Sequence, residues 1–142
     1  MRIIKSFWKP LLWAVIVLGL STMSGKKVSD IPFMGIPHMD KIAHFGMYFV
    51  FTFLMLYDFS RYKMKNIAWK KIIGISIIVA IAFGGSMELL QEVPSLERST
   101  DIKDFIANSL GAICAVLSYR YINGILTKLS AIFIKPGNSY SL

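Results

Sequence analysis

Ten side chains in three short stretches have the types and spacing of a polar site. Asp40, His44 and Tyr48 stand at i, i+4 and i+8; Glu88 and Gln91 at i and i+3; Asp101, Asp104 and Asn108 at i, i+3 and i+7, with Gly111 continuing that stripe. In a helix each set lies along one face. Lys41 and Arg98 are the neighbouring cations. Carboxylates, an imidazole, an amide and two cations can satisfy one another, or they can hold a ligand through charge-assisted hydrogen bonds. His44 with a carboxylate could instead act as acid and base, and Glu88, Asp101 and Asp104 offer oxygen ligands to a divalent cation. The carboxylate spacing selects no metal, and neither a metal site nor a cofactor is expected. Ser99 could be drawn with His44 and Asp101 as a triad. No nucleophile elbow or glycine-rich oxyanion loop accompanies it, so no catalytic residue is assigned.

The elements that must hold these stripes are apolar. Of 142 residues, 55% are hydrophobic and 17% charged, against about a quarter in a soluble domain, and the mean hydropathy is +0.57. Uncharged runs occupy residues 10–25, 42–57, 72–87 and 105–119. Each is somewhat short of the roughly 20 residues that cross a hydrocarbon core of about 30 Å. Lys9, Lys41, Lys71 and Arg120 can snorkel at the boundaries, where Trp8, Trp69, Tyr119 and Tyr121 supply interfacial rings. The expectation is an all-α, polytopic integral membrane bundle of about four transmembrane helices near 8–25, 41–59, 70–90 and 103–121, forming one domain over 1–142. The run from Ile72 to Phe83 has no polar face to offer water, which excludes a soluble four-helix bundle. A single cysteine, Cys114, and two histidines exclude an internal disulfide and a Cys/His zinc centre. Ala107, Gly111 and Ala115 form a ladder of small residues that lets another helix approach closely, and Gly84 and Gly85 read the same way in the preceding segment.

Sixteen Lys and Arg against eight Asp and Glu leave a net charge of +8. Eleven of the sixteen fall in the two tails and the loop from Arg61 to Lys71, and five in the other two loops. The positive-inside rule puts both termini and that basic loop in the cytoplasm. Seven of the eight acids lie toward the opposite ends of the segments; Asp58 is the exception and is expected to stand apart from the site. The basic excess thus reports orientation and contact with anionic membrane lipids, and no nucleic-acid partner is expected. The first segment follows Arg2, Lys5 and Lys9 and closes on small residues from Ser21 to Gly25, the outline of a secretory signal peptide. It lacks a clean A-x-A site and is read as a retained anchor.

Three blocks, Asp40-Lys41-x-x-His44-Phe45-x-x-Tyr48, Glu88-x-x-Gln91 and Arg98-x-x-Asp101-x-x-Asp104-x-x-x-Asn108-x-x-Gly111, occur in this order over a motif core of about residues 38–116. In these blocks the chain resembles the VanZ-like membrane proteins. Pro94-Ser95-Leu96-Glu97-Arg98 departs from the compact proline-glycine-arginine turn common in that family, which bears on where Arg98 sits. The resemblance implies a small multi-pass protein of the bacterial plasma membrane, in a family named for a member linked to resistance to the glycopeptide teicoplanin. On this reading an outward-facing pocket binds or modulates a cell-envelope component and affects glycopeptide susceptibility. The expected partners are membrane lipids and a cell-wall precursor or lipoglycopeptide. Lys41 and Arg98 suit phosphates and carboxylates, while Asp40, Glu88, Asp101 and Asp104 suit amines. Two alternatives stay open. One is a membrane-embedded hydrolase or transferase using His44, Glu88 and Asp104. The other is a purely structural subunit, in which Asp104, Asn108 and His44 are interhelical glue worth about 0.6–2 kcal/mol per contact.

Overall fold

A computed structural model describes residues 7–32, 36–61, 67–93 and 100–133. Five helices follow one another: α1 (Trp8–Ser21), α2 (Gly25–Ser29), α3 (Met39–Arg61), α4 (Trp69–Gln91) and α5 (Ile102–Phe133). No strand occurs among the described residues. Helices α3, α4 and α5 are long and apolar enough to cross a membrane. Their outer faces carry large apolar side chains in the open, such as Ile78, Leu89 and Leu117, the last 77% exposed. A water-soluble bundle would not leave such faces uncovered.

Two expected boundaries are corrected. The first apolar segment is not a fourth helix of spanning length: α1 has 14 residues, a rise of about 21 Å against a core of about 30 Å. It ends because the chain turns at Thr22, whose hydroxyl donates back to the Leu18 and Gly19 carbonyls at 2.9 and 3.2 Å, and resumes as the short α2 with Lys26 and Lys27. At the other end, α5 does not stop near residue 121 but runs to Phe133. Charge at Arg120 limits the apolar run, yet no proline before Pro136 interrupts helical backbone there.

α3 and α5 form the most extensive helix pair and run parallel: the Phe45 backbone meets Gly111, and eight residues on in both helices Phe53 meets Tyr119, ring centroids 5.4 Å apart. α4 returns antiparallel and packs against both. The core at the middle of the bundle joins Val17, Tyr48, Phe51, Met55, Ala80 and Ala112. A second cluster joins Leu56, Ile72 and Tyr119, and the Tyr119 hydroxyl lies 2.6 Å from Ser60 Oγ. The small residues Ala107, Ala112 and Ala115 are all buried, as a close α3–α5 contact requires.

α1 is fastened to α3 at two levels. Trp13 Nε1 donates to the Met47 carbonyl at 2.9 Å, and Lys9 Nζ lies 2.6 Å from Asp58 Oδ1. Asp58 is therefore no bystander: its side chain is fully buried, and Lys9 is what makes a carboxylate tolerable there. The pairing was hidden in the sequence because the partners stand 49 residues apart.

Candidate functional site

The start of α3, the end of α4 and the start of α5 meet at one end of the bundle. Glycine decides how close they come. A Cβ at Gly111 would overlap the Phe45 carbonyl oxygen and lie 3.1 Å from the Phe49 nitrogen, so α5 rests on the α3 backbone itself. A Cβ at Gly84 would lie 3.3 Å from both Asn108 Cβ and Tyr48 Cε1, so α4 leaves room for those two side chains. Asp101 precedes α5 and caps it: its carboxylate accepts the Lys103 N–H at 2.8 Å, and its carbonyl accepts those of Asp104 and Phe105. Thr100 Oγ1 donates to the Glu88 carbonyl at 3.1 Å, tying the end of α4 to the start of α5.

The outer layer is built on Lys41. Its ammonium contacts Asp40 Oδ2 at 2.8 Å, Asp101 Oδ2 at 2.9 Å and Asp104 Oδ1 at 2.9 Å. Three donors thus meet three carboxylates, and the cation is consumed within the cluster. The acids grade inward: Asp40 and Asp101 side chains are 45% and 38% exposed, Asp104 only 8%. The Lys103 N–H, with Lys41 beside it, holds the Asp101 carboxyl below its ordinary value.

Behind this layer lies a buried chain of four side chains. Asn108 Nδ2 donates to Glu88 Oε1 at 3.2 Å, and Asn108 Oδ1 stands 3.0 Å from His44 Nδ1. Because that oxygen can only accept, the imidazole proton sits on Nδ1. Nε2 then faces Asp104 Oδ2 at 3.8 Å, while Nδ1 lies 3.7 Å from Glu88 Oε1. The imidazole thus has an acid on either side, each beyond the roughly 3 Å at which a proton passes directly, so a proton relay through His44 needs a small closure or a bridging water. Glu88, Asn108, His44 and Asp104 form a polar line that runs from the interior to Lys41.

Tyr48 lies one turn deeper, packed on Phe51 and Phe83. Its hydroxyl, Glu88 Oε2, both amide atoms of Gln91 and Ser21 Oγ are buried with no hydrogen-bond partner among the described residues. Gln91 and Ser21 line a cavity of about 80 Å³ between α1, α3 and the end of α4, together with Asp40 and His44 and an apolar wall that includes Leu20 and Met47. Unpaired buried amide groups are costly. Here they belong to residues that border that cavity.

Asp40, Lys41, His44, Glu88, Asp101, Asp104 and Asn108 therefore form one connected cluster, with Tyr48 below it and Gln91 beside it. Arg98, the tenth candidate, lies outside the described residues, as does Ser99. No group of three or more His, Cys, Asp or Glu among the described residues is arranged to hold a metal ion. Ser21 was missed by the sequence reasoning; a polar residue closing an apolar run was the signal available, and its nearness to Gln91 was not legible there.

Fold and site together define an all-helical, membrane-type protein with a buried acid, amide and imidazole cluster at one end. A family model for VanZ/LLP1 matches residues 2–126, and the chain belongs to that family. No curated protein and no solved structure matches it.

Proposed function

We propose that the cluster is a ligand site on the outer side of a bacterial plasma membrane, both termini being cytoplasmic, and that it holds an amine-bearing component of the cell envelope. The observation that carries this is the state of Lys41. With all three donors occupied by Asp40, Asp101 and Asp104, the site has acid to spare: four carboxyl groups, Glu88 included, against Lys41 and, in the sequence, Arg98. A cationic or hydrogen-bond-donating group complements that surplus, whereas a phosphate would have to displace a carboxylate from Lys41. The apolar wall of the neighbouring cavity suits a ligand with a hydrophobic part. The distribution of Lys and Arg over the loops supports an orientation with the cluster outside.

Binding of such a component, a cell-wall precursor or a lipoglycopeptide, is the route by which the protein would alter teicoplanin-type susceptibility. The polar line through His44 favours a second reading, a membrane-embedded hydrolase or transferase, in which His44 passes a proton between Glu88 and Asp104. One experiment addresses both. Lipids and cell-wall intermediates that co-purify with the native protein are identified by mass spectrometry and compared with those from a His44→Ala, Asp104→Ala double variant that still melts cooperatively. An amine-bearing intermediate retained by the native protein alone supports binding, and its accumulation in a cleaved or transferred form supports the enzyme. Identical profiles refute a ligand site.

A further inference from the structure

The opposite end of the bundle holds a larger cleft, of about 330 Å³, between the last turns of α3 and the distal part of α5. We infer that it is a binding site for the headgroup of an anionic phospholipid in the adjacent leaflet. The register of Phe45 with Gly111 and Phe53 with Tyr119 brings Arg61, the last residue of α3, level with Thr127. Both residues line the cleft, as do Lys9, Tyr57 and Asn123.

Charge, depth and shape point to the same ligand. Arg61 makes a cation–π contact with Tyr57, 5.2 Å from the ring centroid, and no ion pair among the described residues, so its guanidinium fork is available to phosphate oxygens. Lys9 lies 5.0 Å from the same ring and gives one donor to Asp58, leaving two. Asn123 adds an amide. The Thr127 and Ser130 hydroxyls already donate to carbonyls of their own helix, at 2.8 and 2.9 Å, and serve as a polar wall. Among the described residues this end carries Lys9, Arg61, Lys70, Lys71, Arg120 and Lys128 against the single, buried Asp58, a field that concentrates anionic lipid. Trp8, Tyr57, Trp69 and Tyr121 set the depth as that of the headgroups. Phe53, Leu54 and Leu126 give the cleft an apolar side for the glycerol and upper acyl carbons.

The test uses the full chain in neutral detergent, mixed with equal phosphatidylglycerol and phosphatidylcholine and read by native mass spectrometry. The wild-type protein should retain phosphatidylglycerol with a preference of about tenfold, the equivalent of one charge-assisted hydrogen bond. Arg61→Gln and Asn123→Leu should each pull the preference toward one, Arg61→Lys should restore part of it, and Lys70→Gln, at the same end but off the cleft, should leave it intact. Detergent melting of each variant confirms that it is folded. An absent preference in the wild type, or its survival in Arg61→Gln, overturns the inference. Equal loss in Lys70→Gln overturns it too, by showing that diffuse charge suffices. Stripping of the bound lipid by millimolar glycerol phosphate would mean that free phosphate is recognised and not the lipid.

Discussion

Replacing Gly111 by alanine adds one methyl group where the α3 backbone already lies against α5. The new carbon would overlap the Phe45 carbonyl oxygen and press on the Phe49 nitrogen, and neither atom can rotate away as a side chain could. The helices must part by about 1 Å to regain van der Waals separation. That movement carries the His44–Asn108 contact from 3.0 Å to about 4 Å, past hydrogen-bonding range, and strains the 2.9 Å Lys41–Asp104 pair. Overpacking costs about 1–3 kcal/mol, and a weakened neutral and charge-assisted bond adds about as much again. Gly74 is the control: a Cβ there meets nothing within 4 Å, so Gly74→Ala should stabilise the helix by about 0.5–1 kcal/mol. Thermal melting of the purified protein in one detergent should rank Gly74→Ala highest, wild type next and Gly111→Ala lowest, with Gly84→Ala just below wild type. A Gly111→Ala protein that melts with or above wild type would show that α5 does not rest on the α3 backbone, and the site geometry would fall with it.

Glu88→Gln preserves the acceptor for Asn108 and breaks no ion pair with a Lys or Arg among the described residues, so it should melt like wild type while losing ligand retention; normal melting with normal retention would remove Glu88 from the site. Lys9→Ala leaves Asp58 buried and unpaired and should cost about 3–5 kcal/mol, most of which a Lys9→Met, Asp58→Leu pair should recover in the same melting assay. Asp101 has its folded pKa below the ordinary 3.8, so its contribution is complete above that value and disappears as pH falls through the lowered folded one. Asp101→Asn should therefore flatten the acid limb of the melting profile below about pH 4 and change little above pH 5. In a Cys114→Ser background, an impermeant thiol reagent applied to intact cells should label cysteine at position 29 or 95 but not at 66; labelling at 66 alone would invert the orientation.

Helical character and the three polar stripes were legible because periodicity speaks for each segment by itself. Asp40, His44, Asp104 and Asn108 fall on repeats that only a helix brings to one side. Hydropathy, however, reads side chains and not backbone hydrogen bonds. It carried the first segment to residue 25, past the turn at Thr22, and stopped the last at residue 121, although α5 continues to Phe133. Pairings between distant positions were beyond the sequence. Nothing local announces that Asp58 is neutralised by Lys9, or that Lys41 serves three acids rather than an incoming anion. Gly111 stood in between: its place in a ladder of small residues was visible, but the backbone it rests on was not.

The parallel course of α3 and α5 has an electrostatic consequence. Two helices that begin at the same end place the positive poles of their macrodipoles side by side, each equivalent to about half an elementary charge. That juxtaposition is repulsive in an apolar surrounding. Asp40 in the first turn of α3, Asp101 ahead of α5 and Asp104 in its first turn stand at those poles. The acids that crowd Lys41 are thereby also the counter-charges of the backbone. Removing them to make the site neutral should drive the two helix starts apart rather than relax them.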